Sequence, residues 1–306
     1  MRQETAASVD SRHVFHPLAS EEVRSAEHSR LHHARNEEPS STAEHLQVGS
    51  AKNFKQLCEA FELVHSRYVA SGYMQPHHSR MRYSLFQLLP YAMTAVATTN
   101  GSVVGTTGIV LDSAAGLPSE FIFPAEFAML RRDCRSIAEG CLFACKSEEA
   151  AAGNSTNLRL MKAVFWHCVD LGIDDLCLVA NPRHLTFYQS VLGFECLSEM
   201  RSCSYVRGAD GILLRLNLRG IFQESLPITQ YAKRLFFRKT PPFQALDDGH
   251  QLREEEAAVL LLEHPELLLQ AAPRQRKLLE KHHPLAVHIV EARSVMLEEQ
   301  VIAATA

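Results

Sequence analysis

A carboxylate inside an apolar segment is the side chain in this sequence best suited to accept a proton. Glu139 interrupts the stretch SIAEGCLFAC, whose other members are apolar or small. A carboxylate at that position faces either a cleft or the apolar interior, and partial burial raises its pKa toward neutrality. The alternative is a side chain on the solvent-facing side of a strand. Glu139 is the candidate general base.

A second group of polar residues follows the apolar stretch LCLVA, in the segment NPRHLTFYQSVLGF. Arg183 and His184 come where a strand ends, which is where open α/β sheets place ligand contacts. Arg183 can hold a carboxylate or a phosphate, and His184 can relay a proton or cap the next helix. Asn181 is expected to satisfy backbone groups at the turn between strand and helix.

Asp112 lies between the stretch GTTGIVL and a Gly-Leu-Pro turn. It can hold a substrate amine or orient an arginine, although an aspartate before a glycine-rich loop is also ordinary turn chemistry. No metal-ligand pattern accompanies these residues, because the eight cysteines form no CxxC pair. His28, His32 and His33 have no carboxylate or cysteine at a defining offset, so no metal site is predicted there.

The elements that position these candidates begin with a helix and a hairpin. Apolar residues at offsets of three and four predict an amphipathic helix that ends near Gly72; they are Phe54, Leu57, Phe61, Val64 and Tyr68. Two Val- and Thr-rich strands follow, joined by Asn100-Gly101, a dipeptide that favours a two-residue hairpin turn.

The remaining pattern alternates helices with apolar strands. Pro124 opens a short helix, SIAEGCLFAC reads as a buried strand, and apolar residues from Leu158 to Leu171 predict a second amphipathic helix. The pattern is completed by the strand LCLVA and a helix over residues 184–192. An antiparallel pair of strands follows, FECLSEMRSCSYV with ILLRLNL. This order predicts an α/β (α+β) fold in which helices pack on a mixed sheet.

Composition divides the chain into three parts. Residues 1–48 carry few large apolar side chains and are predicted to be a disordered tail. Residues 49–220 form the α/β domain, and residues 221–306, rich in Leu, Glu and Ala, form a helical C-terminal extension with the character of an appendage. Its apolar stripe, formed by Leu285, Ile289, Ala292 and Met296, is expected to pack on the domain itself or on a second subunit, as in a homodimer.

The overall charge excludes several classes of function. Lys and Arg total 31 against 35 Asp and Glu, and the pI is about 6.5, so the chain offers no bulk positive field for nucleic acid. No apolar run approaches the length of a membrane span, and the N-terminus lacks the apolar centre of a signal peptide. With cysteines read as reduced thiols, the protein is expected to be cytoplasmic.

The segment NPRHLTFYQSVLGF resembles a signature of the GNAT acyltransferase superfamily, in which two splayed strands admit the acyl donor. The sequence is also similar to the long-chain N-acyl amino acid synthases, a GNAT-like branch related to the acyl-homoserine-lactone synthases. Four ordered blocks within residues 71–218 carry this resemblance: SGYMQPHHSRMRYSLFQLLPYAMTAVA, VVGTTGIVLDSAAGLPSEFIFPAEFAMLRR, IAEGCLFA, and NPRHLTFYQSVLGF with SYVRGADGILLRLNL. It implies a GNAT-like acyltransferase fold with a helical C-terminal extension.

The resemblance also implies an activity, the transfer of a long-chain acyl group from acyl carrier protein to the amine of an amino acid. Glu139 matches a glutamate of the lactone synthases, whereas Leu142 stands where those enzymes have an arginine, which argues against lactone synthesis. Tyr188 matches a tyrosine near the leaving thiol in many GNAT proteins, with a core aromatic as the alternative role. Asp112, Arg183 and His184 would then contact the substrates.

The donor loop departs from the coenzyme-A-binding GNAT pattern, which is basic and glycine-rich. Here it reads SEEAAAGNSTN, and Glu148 and Glu149 would repel a pyrophosphate. Its backbone amides at Gly153, Asn154 and Ser155, together with Asn181, are the predicted donor contacts. This favours acyl carrier protein over coenzyme A, and no cofactor or metal is needed. The alternatives are a coenzyme-A-dependent N-acetyltransferase and a non-catalytic binding protein of the same fold.

Overall fold

A mixed eight-stranded sheet forms the centre of the computed structural model, which describes residues 46–146, 156–223, 233 and 246–305. Its strands are β1 (Gln47–Ser50), β2 (Ala92–Thr99), β3 (Ser102–Leu111), β4 (Ile137–Cys145), β5 (Asp175–Ala180), β6 (Glu195–Cys196), β7 (Arg201–Cys203) and β8 (Ala209–Asn217). They follow the order β1-β2-β3-β4-β5-β8-β6, and β7 pairs with β8. Only β4 and β5 run parallel.

Helices cover both faces of the sheet. They are α1 (Phe54–Ala70), α2 (Pro124–Arg132), α3 (Thr156–Asp170), α4 (Leu218–Phe222), α5 (Glu254–Glu263), α6 (Glu266–Leu269), α7 (Pro273–His282) and α8 (Pro284–Thr305). One apolar core lies between the sheet, α1, α2 and the helices α5 to α8, and a second lies under α3. None of these described helices is long and apolar enough to cross a membrane.

The predicted amphipathic helix and the predicted hairpin are both confirmed. Asn53 caps α1, since its side-chain oxygen accepts a hydrogen bond of 3.0 Å from the amide of Gln56. Asn100 and Gly101 both adopt positive φ, at 52° and 78°, and join β2 to β3 as a two-residue hairpin.

The parallel strands β4 and β5 separate partway along their length. They pair from Ile137 with Asp175 to Gly140 with Leu178, and then β4 continues to Cys145 and β5 to Ala180 with no further pairing between them. At the same level β4 changes register against β3, and Leu142 adopts a positive φ of 50°. This irregularity bends β4 away from β5 and opens a gap in the sheet directly beyond Glu139.

The structure differs from the sequence prediction at both ends of the sheet. Strand β1 was not predicted, and it starts at Gln47, inside the segment assigned to the tail; residues 1–45 lie outside the described part. The predicted strand FECLSEMRSCSYV is two short strands, β6 and β7, both antiparallel to β8.

The C-terminal helices pack on the domain and share its core, which is one of the two placements expected for the extension. Leu260, Leu261 and Leu279 have no solvent-exposed surface. The hydroxyl of Tyr83 donates a hydrogen bond of 2.6 Å to the carbonyl of Leu260. Burial of these leucines against the sheet stabilises the domain by about 2 kcal/mol for each side chain.

The predicted apolar stripe of α8 is only partly used in this packing. Leu285 and Met296 are 54% and 60% exposed, whereas the buried contacts of α8 come from Ala286, Val287 and Val290. The exposed part of the stripe is compatible with a second subunit, and the homodimer stays a prediction.

Candidate active site

Glu139 lies in β4 at the edge of the gap between the two parallel strands. It pairs with Val110 of β3 and Cys177 of β5, one residue before β4 and β5 separate. Only 3% of Glu139 is exposed. The backbone amide of Ser119, in the loop that follows β3, donates a hydrogen bond of 3.1 Å to Oε2 of Glu139.

The burial of Glu139 changes its acidity. Loss of solvation raises the pKa of Glu139 to about 7, against the opposing effect of hydrogen bonds from Ser119, and the nearby carboxylate of Glu120 raises it further. At neutral pH this group therefore exchanges a proton readily, as a general base must. The alternative of a solvent-facing carboxylate does not hold.

Cys141 lies one residue beyond the last pair of β4 and β5, and electrostatic interactions link it to Tyr68 and link Tyr68 to Tyr188, both of which are partly buried. Gln87 donates a hydrogen bond of 3.6 Å to the sulfur of Cys141, and burial followed by Glu139 raises the pKa of that thiol well above its ordinary value. Burial also raises the pKa of Tyr68 and of Tyr188 to about 12, with smaller contributions from Cys141 to Tyr68 and from Tyr68 to Tyr188. All three groups are protonated at neutral pH, so Cys141 is no nucleophile, whereas either phenol can donate a proton.

The residues at the end of β5 form a hydrogen-bonded group. The guanidinium of Arg183 donates to the hydroxyl of Tyr73 at 2.8 Å and to Nε2 of His184 at 3.0 Å. Asn181 accepts a hydrogen bond of 3.2 Å from the backbone amide of Arg183, which is the turn-stabilising contact that its position predicts. Burial and then Arg183 lower the pKa of His184, so this imidazole is neutral. Tyr73 packs edge-on against Tyr68 at 5.8 Å, which connects this group to the gap.

Asp112 is paired with an arginine. Both carboxylate oxygens of Asp112 accept hydrogen bonds of 2.7 Å from Arg131, which also donates to Glu120 at 2.8 and 3.0 Å. Of the two roles that the sequence left open, this geometry corresponds to the orientation of an arginine. The network fixes the loop whose amide at Ser119 contacts Glu139.

Sequence reasoning missed Arg82 and Tyr205. The guanidinium of Arg82 donates a hydrogen bond of 3.0 Å to the carbonyl of Tyr205, while its Nε is buried without a partner among the described residues. Electrostatic interactions link Arg82 to Tyr68 and Glu139 to Tyr205. Both residues belong to the sequence blocks that carry the family resemblance, and that was the available signal.

The predicted donor contacts Gly153, Asn154 and Ser155 lie outside the described residues, as do Glu148 and Glu149. The structure does describe the residues that flank this loop, Cys145 and Lys146 before it and Thr156 after it. Gly105 pairs with Cys145 at the end of β4, and a Cβ at Gly105 would lie only 2.6 Å from Thr156, the first residue of α3. The described residues on either side of this segment, Cys145 and Thr156, therefore both lie next to Gly105.

The fold has counterparts among solved structures. The N-acyl amino acid synthase FeeM from uncultured soil microbes superposes with a TM-score of 0.52, at 27% identity, over 59% of this chain and 94% of that one. BjaI, a coenzyme-A-dependent acyl-homoserine lactone synthase solved with SAM and isopentyl-CoA, has a TM-score of 0.50 at 16% identity, over 68% and 96% of the chains. The chain has a GNAT-like acyltransferase fold, as the sequence predicted.

The family follows from a match over most of the α/β domain. The sequence profile of the N-acyl amino acid synthase FeeM family matches residues 59–217, a little over half of the chain. The protein belongs to this family and is an N-acyltransferase. No curated protein is significantly similar to it in sequence.

The raised pKa of Glu139 predicts how stability depends on pH. The folded state holds the Glu139 proton up to about pH 7, whereas the unfolded chain loses it near 4.5. The wild type should therefore lose stability relative to Glu139→Gln as pH rises from 4.5 through 7, by at most about 3 kcal/mol. Urea unfolding of both proteins at pH 4.5, 6 and 8 measures this difference. Glu195→Gln, at a position whose side chain is 44% exposed, is the control; an equal pH trend in both variants would contradict burial of Glu139.

Proposed function

We propose that this protein transfers a long-chain acyl group from acyl carrier protein to the α-amine of an amino acid, giving an N-acyl amino acid. The observation that carries the proposal is the buried carboxyl group of Glu139 at the opening between β4 and β5. A proton acceptor poised near neutral pH, next to a gap that can admit an acyl thioester, is the requirement of amide formation.

Glu139 acts as the general base and Tyr188 as the general acid. The neutral amine attacks the thioester carbonyl and forms the new C–N bond, while the carboxylate of Glu139 accepts the amine proton. The C–S bond then breaks, and the phenol of Tyr188 protonates the departing thiolate. A pKa of about 12 keeps that phenol protonated until the thiolate forms.

The carboxylate of the amino acid needs a cation, and two arginines are candidates. Arg183 is exposed, and its guanidinium already contacts Tyr73 and His184. Arg82 has a buried Nε without a described partner, and a buried donor of this kind is costly unless it binds an acceptor. We assign the substrate carboxylate to Arg82, with Arg183 and His184 as contacts nearer the surface and Asp112 as a residue that positions the loop.

The donor assignment rests on charge and on the lining of the gap. Two acids in the donor loop disfavour the pyrophosphate of coenzyme A, and an acyl carrier protein presents only one phosphate diester on its prosthetic arm. Leu142 and Val179, from the separated parts of the two strands, are partly buried apolar residues that suit an acyl chain. In this proposal the backbone amides of Gly153, Asn154 and Ser155 bind the phosphate of the prosthetic arm.

Removal of the base should slow catalysis without abolishing the fold. Glu139→Gln should lower kcat/KM by roughly a hundredfold to ten-thousandfold at pH 7, with partial recovery at high pH where more of the amine is neutral. The wild type should show a rise in rate with an apparent pKa near 7 that is absent in the variant. Glu195→Gln should retain the wild-type profile. Full activity of Glu139→Gln at pH 7 would exclude this base.

The donor preference should favour carrier-bound long chains. Mass spectrometry of products formed with long-chain acyl carrier protein, the matching acyl coenzyme A and acetyl coenzyme A should give at least a tenfold preference for the first. Reversal of Glu148 and Glu149 to lysine should improve the coenzyme A reaction. Acetyl coenzyme A used as fast as any carrier substrate would support the N-acetyltransferase alternative.

The roles of Arg82 and Arg183 can be distinguished with substrate analogues. Arg82→Gln should raise KM for the amino acid at least tenfold and should little affect the decarboxylated amine, because only the acid needs the guanidinium. Arg183→Gln should change KM for both substrates to the same extent. If Arg183→Gln instead shows the selective loss, the carboxylate contact belongs to Arg183.

A further inference from the structure

A cluster of imidazole and carboxylate groups lies where the C-terminal helices meet the turn after α1, and it contains none of the side chains assigned to the candidate active site. His77, His264 and Glu266 each bring one potential ligand atom to within 4.8 Å of the others. His77 belongs to the turn, whereas His264 ends α5 and Glu266 begins α6. Two segments that are distant in sequence thus contribute to one cluster.

The two imidazole rings are held in place. They stack with centroids 4.1 Å apart and an interplanar angle of 21°. His264 is only 7% exposed, and Tyr83 packs against its edge at 4.8 Å. Beneath His77, His65 accepts a hydrogen bond of 3.0 Å from the His77 backbone amide. Fixed rings of this kind lose little conformational freedom when they bind an ion.

Both rings point a nitrogen at the same hydroxyl group. Nδ1 of His77 and Nε2 of His264 lie 2.8 and 2.9 Å from Oγ of Ser79. That hydroxyl has one proton to donate, and it already accepts a hydrogen bond of 3.1 Å from the amide of Met81. Ser79 therefore holds one nitrogen of each ring, which leaves Nε2 of His77 and Nδ1 of His264 as the ring nitrogens that face away from this hydroxyl.

The carboxylate completes the set. Oε1 of Glu266 lies 2.7 Å from Nδ1 of His264, and 44% of its side chain is exposed. Tetrahedral zinc, with bonds of about 2.0–2.2 Å, needs ligand atoms about 3.4 Å apart. The exposed carboxylate is free to move by the necessary distance, and the fourth position opens to water.

We propose that His77, His264 and Glu266 bind one divalent transition-metal ion of the zinc type. Two imidazole nitrogens and one carboxylate suit Zn²⁺, whereas Mg²⁺ and Ca²⁺ prefer oxygen ligands alone. The ion would join the turn after α1 to the α5–α6 junction. Its role would therefore be structural: it would stabilise the packing of the C-terminal helices on the domain and take no part in acyl transfer.

The site is tested by titration of the metal-free full-length chain with zinc sulfate in a calorimeter. One ion should bind per chain with a micromolar or lower dissociation constant, and the melting temperature should rise. Magnesium sulfate should give neither effect. Cobalt(II) should give the visible absorption bands of a low-coordinate nitrogen and oxygen site.

Variants identify the ligands. His77→Ala and Glu266→Gln should each raise the dissociation constant at least tenfold and remove the stabilisation by zinc. Glu266 is partly exposed, so Glu266→Gln decides the question if His77→Ala fails to fold. His288→Ala, on an exposed part of α8, and the double change His32→Ala with His33→Ala in the N-terminal segment should bind as the wild type does.

Two results would overturn the site. The first is no zinc binding at millimolar concentration. The second is binding that Glu266→Gln and His77→Ala leave intact while the double change at His32 and His33 removes it, which would assign the ion to the N-terminal segment.

Discussion

The carboxyl group of Glu139 is buried inside the sheet, and its solvation has to come from the protein. The backbone amide of Ser119 donates a hydrogen bond to it, and this contact is too weak to keep the group ionised at its ordinary pKa. Its position follows from the separation of β4 and β5, which ends the pairing one residue later. Burial raises the pKa of this carboxyl group to about 7, and the end of the β4–β5 pairing leaves it next to the opening between the two strands.

Several distant parts of the chain maintain this environment. The Asp112–Arg131 pair fixes the loop that carries Ser119. Helix α1 and the C-terminal helices cover the same sheet face, and buried leucines such as Leu260 exclude water from the core there. The C-terminal segment is thus part of the core on the sheet face that carries Glu139.

Local features were predictable from sequence, and nonlocal ones were not. Asn100-Gly101 and the capped helix α1 follow from backbone preferences that a few residues determine. Strand β1 is too short to show a pattern, and it forms because β2 offers it an edge. Arg82 was missed because its role depends on neighbours, Tyr68 and Tyr205, brought together only by folding. Glu139 was identified because a carboxylate among apolar residues is already unusual in the sequence itself.

The proposed mechanism depends on the protonation state of Glu139. NMR of the protein with ¹³C at the glutamate side-chain carboxyl carbons measures that state directly. The ¹³C resonance of Glu139, assigned by its loss in Glu139→Gln, should titrate with a midpoint near pH 7, while the exposed glutamates titrate near their ordinary value. A midpoint between pH 4 and 5 would show that the carboxyl group is well solvated. That result would contradict a buried base at the opening between the strands.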